Sequence, residues 1–285
     1  MKRVLITGKN SYIGRSVMDQ SESNGMMVDG ISVRDDDWKS IDFGKYDVIL
    51  HVAAIVHKKQ SANTLKLYQK INRDLPFEIA RKAKAEGVKQ FIFMSSIAVF
   101  GKKGAIDRVE VIDNITKVSP NTYYGQSKAE AEMYLQSLSD ATFTVTIIRP
   151  PMVYGKDSPG NYGLLAKLAL KLPALPNIKN QRSMIYIGNL VEFIYQIIKN
   201  PMSGAFSPQN AELVDTNQMI KMIRKVHGKK TFILPFGMFI VRQVSQFTSL
   251  ITKFYGSLIV VDEATRLVNY TTVTFDDSIR ISEEK

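Results

Sequence analysis

Tyr124 and Lys128 lie four residues apart in S-P-N-T-Y-Y-G-Q-S-K-A, the stretch from Ser119 to Ala129. On a helix, positions i and i+4 share a face, so the lysine ammonium would sit one turn from the phenol. A nearby positive charge favours phenolate and draws a tyrosine pKa down from about 10, which would suit Tyr124 to general acid or base work. The same spacing recurs at Tyr195 and Lys199, so spacing alone does not choose between the pairs. Context favours the first. Tyr124 follows Pro120, which can start a helix, and comes after an apolar run that ends in the hydroxyls of Ser95 and Ser96. Tyr195 sits inside an apolar helical stretch and reads as structural. His51 and His57 invite a catalytic reading, but His51 lies within the apolar run V-I-L-H and reads as a core histidine.

The elements that must position these groups follow in chain order. Arg3 to Thr7 is an apolar run bounded by Gly8, then G-K-N-S-Y-I-G, then a helix-like stretch from Arg15 to Ser23. Strand, tight turn and helix in that order can hold a pyrophosphate, because glycines let the backbone approach and the helix N-terminus offers N–H groups. Gly8 and Gly14 are present, while Ser11 stands where a third glycine is expected; an ordinary strand–helix turn fits equally well. The second strand is expected at Met27 to Val33. The residue at its end reports the cofactor: an acid binds the ribose 2′-hydroxyl, whereas Arg accommodates a 2′-phosphate. Ser32 and Arg34 there favour NADP(H), and Asp35 to Asp37 keep NAD(H) open. Y-D-V-I-L-H-V-A-A from Tyr46 reads as a buried strand ending in Ala53 and Ala54, small enough for an adenosine or ribose to pack closely.

Leu65 to Glu86 reads as one amphipathic helix, with Ile71, Leu75, Ile79 and Ala83 at four-residue spacing. Asn72 on it is either a surface amide or a hydrogen-bonding group near the cofactor. Gln90 to Met94 forms the next strand and delivers Ser95 and Ser96 to its carboxyl end, where ligands bind in open α/β sheets. Thr142 to Arg149 is a further strand, and the two prolines after it forbid a continued ladder, so residues 1–150 read as a sheet domain and 151–285 as a second lobe. A strand and helix around 182–200 are expected to return to the first domain. Gly160-Asn161-Tyr162 opens a helix, Gln181 to Leu190 reads as a strand turning into a helix, and Arg182 is either a phosphate-binding fork or a surface arginine.

With 285 residues and 45% apolar content the chain can bury a large core, and one large α/β domain plus a smaller lobe fits. The absence of cysteine excludes disulfides, thiolate catalysis and zinc–thiolate sites; no metal site is expected, and without a signal-peptide pattern the chain is expected in the cytoplasm. A net charge of +11 suits nucleic acid, an anionic membrane surface or phosphorylated small molecules. The basic residues are scattered and form no nucleic-acid motif, so small phosphorylated ligands are expected and nucleic acid is not. Phe232 to Val261 is strongly apolar, but Pro235, Arg242, Gln243, Gln246 and Lys253 interrupt it. No run reaches the roughly 18 residues of a membrane span. A buried lobe or subunit contact is expected there, with peripheral membrane contact as the alternative.

Together, T-G-K-N-S-Y-I-G, H-V-A-A, F-M-S-S-I-A-V-F-G, Y-G-Q-S-K, R-P-P-M-V-Y-G and R-S-M-I-Y-I-G-N-L resemble the extended short-chain dehydrogenase/reductase family, in its nucleotide-sugar branch of epimerases, dehydratases and reductases. The resemblance implies a doubly wound parallel Rossmann sheet with a smaller, mixed α/β C-terminal lobe. It assigns Ser96 to position the sugar, Tyr124 as acid/base, and Lys128 as its electrostatic partner and a holder of the nicotinamide ribose. It further implies cofactor contacts at Gly8, Ser11, Tyr12, Ile13, Gly14, Arg34, Asp42, Ala53, Ala54, Asn72, Tyr124 and Val153, and places Asn161 and Arg182 on the nucleotide and its diphosphate. Dehydratases of this family carry an Asp-Glu pair just after the catalytic hydroxyl; Ile97-Ala98 stand here, which sets that reaction aside. A 4-ketoreductase and a 4-epimerase remain. Arg34 and the short segment before Tyr46 lean toward NADPH and reduction. Similarity to enzymes of bacterial surface-polysaccharide assembly implies a UDP-linked 4-keto-6-deoxy-hexosamine as substrate, and a homodimer fits the family. A non-catalytic dinucleotide sensor on the same fold is the third alternative, against which the intact Ser-Tyr-Lys set argues.

Overall fold

A computed structural model of the chain describes residues 1–56, 61–235 and 249–284. His57, Arg242, Gln243 and Gln246 lie outside the described residues. The apolar runs β1 (Arg3–Thr7), β2 (Met27–Ile31), β3 (Val48–His51), β4 (Gln90–Met94), β6 (Thr144–Ile148) and β10 (Gly204–Phe206) form one six-stranded sheet in the order β2-β1-β3-β4-β6-β10. Every pairing in it is parallel. Such a sheet needs both faces covered, and accordingly β3 and β4 are buried along their whole length. Three small parallel pairs complete the fold: β5 (Val109–Ile112) with β12 (Ser257–Val260), β7 (Met152–Tyr154) with β9 (Met184–Tyr186), and β8 (Ala174–Pro176) with β11 (Phe232–Leu234). They stand with helices α5 (Asn161–Lys171) and α7 (Thr216–Val226) as a mixed α/β lobe.

The chain runs outward from β1 to β2 and then crosses back to β3 on the other side of β1. That reversal opens a crevice beyond the carboxyl ends of β1 and β3, the usual ligand site of a doubly wound sheet. Between β2 and β3 there are only two short 3₁₀ turns, Asp37–Ser40 and Phe43–Lys45. Their buried Trp38 and Phe43, with ring centroids 6.3 Å apart, close that side of the core where a crossover helix would otherwise lie. After the lobe begins, α6 (Ile187–Lys199) returns to pack on α1 (Tyr12–Asp19), and β10 joins the main sheet beside β6.

The expected helix from Leu65 to Glu86 is three segments: α2 (Ala62–Tyr68), a π-helical stretch (Gln69–Asp74) and α3 (Leu75–Ala85). It starts earlier than periodicity suggested because Ser61 and Thr64 form a reciprocal capping box. The widened turn has a cause in Pro76, which lacks the N–H that an α-helix would aim at the Asn72 carbonyl.

His51 is fully buried against Phe91 and Phe93, with Nδ1 2.7 Å from the Thr7 hydroxyl. Burial lowers its pKa from 6.5 to about 3, and the charge of Lys128 adds to the effect. A depressed pKa means that the unfolded chain binds a proton the folded one refuses, so stability is full above 6.5 and falls as pH drops toward 3. Between neutrality and about pH 5 this group alone costs about 2 kcal/mol. Denaturant midpoints measured across that range should fall less for His51→Phe than for the parent; equal slopes would count against the assignment.

Candidate active site

At the crevice a cleft of about 880 Å³ opens between the β1–α1 loop and the segment after β3. Gly8 and Ala53 meet at its floor. A Cβ on Gly8 would lie 2.7 Å from the Ala53 nitrogen, and its φ of +105° lies in the region that favours glycine, so only glycine lets the two segments close. Ser11, standing in place of a glycine, caps α1: its hydroxyl accepts from the Gly14 N–H at 3.0 Å. The N-terminus of α1 therefore meets the cleft with its turn fixed, which is the arrangement that receives a pyrophosphate. Ser11, Arg34, Ala53 and Ala54 line the cleft with Gly8, as do Lys9, Lys39 and Lys70, which pattern reading did not single out. Lys39 is held by Asp36 at 2.9 Å, whereas the exposed Arg34 guanidinium has no hydrogen-bond or ionic partner among the described residues. The residues present thus fit a dinucleotide.

Several expected cofactor contacts are placed elsewhere. Asp42 does not line the cleft: its carboxylate accepts from Gly44 N–H and lies 3.7 Å from Lys45, capping a 3₁₀ turn. Asn72 is fully buried rather than at the cleft surface, and its amide clamps the backbone of Ile55 in both directions, at 2.9 and 3.0 Å, with Ser127 at 3.3 Å. It shapes the loop after β3 through those bonds. Tyr12, Ile13 and Val153 pack against the hydrophobic cluster shared by the sheet and the lobe, and Gly14 is buried under the loop.

Helix α4 (Tyr123–Gln136) carries the Tyr–Lys pair, with Thr122 capping it through a 3.1 Å bond from Gly125 N–H. A Cβ on Gly125 would lie 2.5 Å from the Ala98 carbonyl, so this glycine lets α4 press on the turn after β4 that bears Ser96. The Ser96 hydroxyl accepts from Ala98 N–H at 3.2 Å and lies where it favours the ionised Tyr124 phenol. The electrostatics differ from the sequence expectation. Burial raises the Tyr124 phenol to about 12, opposed by the Ser96 hydroxyl, and Tyr68 pushes the same way as burial. The Lys128 Nζ is turned to the Met94 carbonyl at 2.7 Å and lies 4.3 Å from the centre of the Phe93 ring. Burial lowers this lysine to about 7, with Glu132 resisting. Tyr195 of the second pair is fully buried and donates to the Val17 carbonyl in the core, while Lys199 is exposed.

The model of the NAD dependent epimerase/dehydratase family matches residues 4–214. The chain belongs to this family. UDP-glucose 4-epimerase of Vibrio cholerae is 29% identical over 290 residues, which cover 93% of this chain and 85% of that protein. The solved UDP-glucuronic acid 4-epimerase from Bacillus cereus in complex with NAD aligns at a TM-score of 0.74 with 18% identity, over 99% of this chain and 97% of the other. The dTDP-4-dehydrorhamnose reductase from Bacillus anthracis str. Ames in complex with NADP aligns at 0.74 with 20% identity, over 99% and 98%. These two likenesses show the fold. As a member of the epimerase/dehydratase family, the protein is an NAD(P)-dependent enzyme of the nucleotide-sugar epimerase and reductase kind.

In the lobe of this family member, Asn161 opens α5 and is partly buried. Arg182 is folded back: its guanidinium donates to the Gly256 carbonyl, its Nε has no partner, and burial lowers its pKa from 12.5 to about 10. No carboxylate neutralises it among the described residues. Sequence reading missed Glu132 and Arg149, which are joined with Ser95 behind Lys128. Their signal was available, since Glu132 continues the four-residue spacing of Tyr124 and Lys128. Among the described residues, no His/Asp/Glu group could hold a metal ion and no helix is long and apolar enough to cross a membrane.

Proposed function

We propose that the protein is an NADPH-dependent 4-ketoreductase acting on a nucleotide-activated sugar, of the UDP-linked 4-keto-6-deoxy-hexosamine class. The observation that carries this reading is the unpaired Arg34 beside Ser32 on the lip of the cleft, at the end of β2. A free fork of donors there suits a 2′-phosphate. The bare link between β2 and β3 supports it, because a cleft without a covering helix at that edge suits a cofactor that must leave after each turnover. The phenol supports it too. A tyrosine raised to about 12 is neutral at working pH and ready to give a proton, as reduction needs; an epimerase must first take one.

When bound, the nicotinamide supplies hydride to C4 of the keto sugar. The chain's own residues manage the oxygen on that carbon. Ser96 donates to it and holds it in line, and Tyr124 gives its proton to the developing alkoxide. Lys128 supplies positive charge beneath the site. Asn161 and Arg182 take the nucleotide and its diphosphate, Arg182 through the anion-accepting capacity of a guanidinium with no acid beside it. An NAD-retaining 4-epimerase is the second reading, favoured by the Vibrio cholerae relative that spans nearly the whole chain.

Absorbance of the purified protein separates the two readings: tightly held oxidised cofactor indicates the epimerase, and an empty protein that oxidises NADPH with a 4-keto sugar nucleotide indicates the reductase. Arg34→Ala should weaken NADPH binding by about 10- to 100-fold, the loss of one charge-assisted contact of roughly 1.5–3 kcal/mol, and leave NADH binding unchanged. Calorimetric titration with both cofactors checks this. Equal or tighter binding of NADH by the parent would sink the NADPH assignment.

A further inference from the structure

Behind the Tyr–Lys pair lies an ion pair that the proposed chemistry does not use. Tyr124, Lys128 and Glu132 follow one another at four-residue spacing on α4 and so form one stripe, with Lys128 and Glu132 almost wholly buried. Arg149, at the end of β6, grips the Glu132 carboxylate with Nε at 3.0 and 3.1 Å from its two oxygens and Nη2 at 2.6 Å from Oε2. Ser95, at the end of β4, donates to Oε1 at 2.5 Å. The guanidinium rests 5.1 Å from the centre of the Phe100 ring. Four donor contacts on one carboxylate fix it in orientation.

We infer that Glu132 is a positioning residue that keeps the buried Lys128 charged, with Arg149 and Ser95 holding its carboxylate one helical turn away. The need arises from burial. An ammonium out of water reverts to the amine unless something opposes desolvation. From β4 Lys128 meets only the Met94 carbonyl and the Phe93 ring, which offer partial charge. From β3 it meets His51, which is neutral, and on its own helix Tyr124, whose phenol is also neutral. Among the described residues Glu132 is the one acidic side chain whose charge acts on it. Glu132 does not touch the reacting atoms; it acts through Lys128. The inference rests on the proposed function only in giving that charge a use.

The test is a pH titration of the Lys128 side-chain resonances in the unliganded, full-length protein. Glu132→Gln removes the anion and leaves the Arg149 cation uncompensated, so Lys128 should titrate at lower pH by about one unit or more. Arg149→Met removes the cation and leaves the anion, so the titration should move to higher pH. The basic limb of the pH–rate profile should move the same way in each variant. A purely structural ion pair would give no shift, or shifts of one sign, and either result overturns the inference. Should one variant fail to fold, the other decides alone: a Lys128 titration that does not move in the direction stated for that variant overturns the inference. An epimerase would show the same titrations as a reductase, so this result and the choice of reaction fail separately.

Discussion

Tyr124→Phe should lower kcat by about 10³- to 10⁴-fold, the upper range for loss of a positioned acid, with cofactor affinity and thermal unfolding near parental values. The substitution removes one oxygen and keeps the ring that packs 6.4 Å, centroid to centroid, from Tyr68. What is lost is the proton donor that the Ser96 hydroxyl addresses. Tyr195→Phe is the matched control, since it takes the same atom from the other pair with this spacing. Its hydroxyl donates to the Val17 carbonyl between α6 and α1, so its removal should cost about 1 kcal/mol of stability and leave kcat nearly unchanged. Steady-state kinetics with cofactor titration and denaturant unfolding on both proteins separate chemistry from packing. Comparable rate losses in the two folded variants would show that the site has been placed on the wrong pair.

Much of this contrast was legible in the sequence. Periodicity and turn residues marked β1, β3, β4 and β6 because a parallel sheet covered on both faces demands continuous apolar runs, and these have them. Gly8 was expected to let the backbone approach a pyrophosphate, and the approach the structure holds there is to Ala53; Ser11 made sense once seen as a helix cap instead of a missing glycine. Three things were not legible. The π-turn at Asn72 depends on a backbone N–H that Pro76 lacks four residues later, a defect in the ladder that hydrophobic spacing does not register. Asp42 is held by its own neighbours, the Gly44 N–H and Lys45, a cap that the residue pattern does not announce. The direction of the Lys128 side chain could not be read from i,i+4 spacing. That spacing puts Tyr124 and Lys128 on one face, yet the ammonium takes the Met94 carbonyl, because a buried cation goes to the best acceptor within reach.

That orientation sets the behaviour of Lys128→Met, the second large effect. The variant should lose most of its rate near neutrality and also bind NADPH more weakly, because one ammonium serves both the proton donor's surroundings and the cofactor ribose in the proposed site. Ser96→Ala should differ in kind: loss of one positioned donor lowers the rate by roughly 10²- to 10³-fold and leaves cofactor affinity in place. Acidity sharpens the comparison. Lys128 is lowered from 10.5 to about 7 by burial, so its charge is present below that pH and lost above it. NADPH affinity of the parent should therefore decline as pH rises through about 7, while that of Lys128→Met stays flat over the same window. Stability runs the other way. Between about 7 and 10.5 the unfolded chain binds a proton at this lysine that the folded chain does not, so this group makes the parent gain stability as pH rises, and the variant lacks that contribution. Cofactor titrations and denaturant midpoints from neutral to mildly alkaline pH measure both trends on the same two proteins. Affinity that is equally flat in parent and variant, or a Lys128→Met enzyme with parental affinity at neutrality, would remove the lysine charge from the mechanism and leave Ser96 and Tyr124 to carry it.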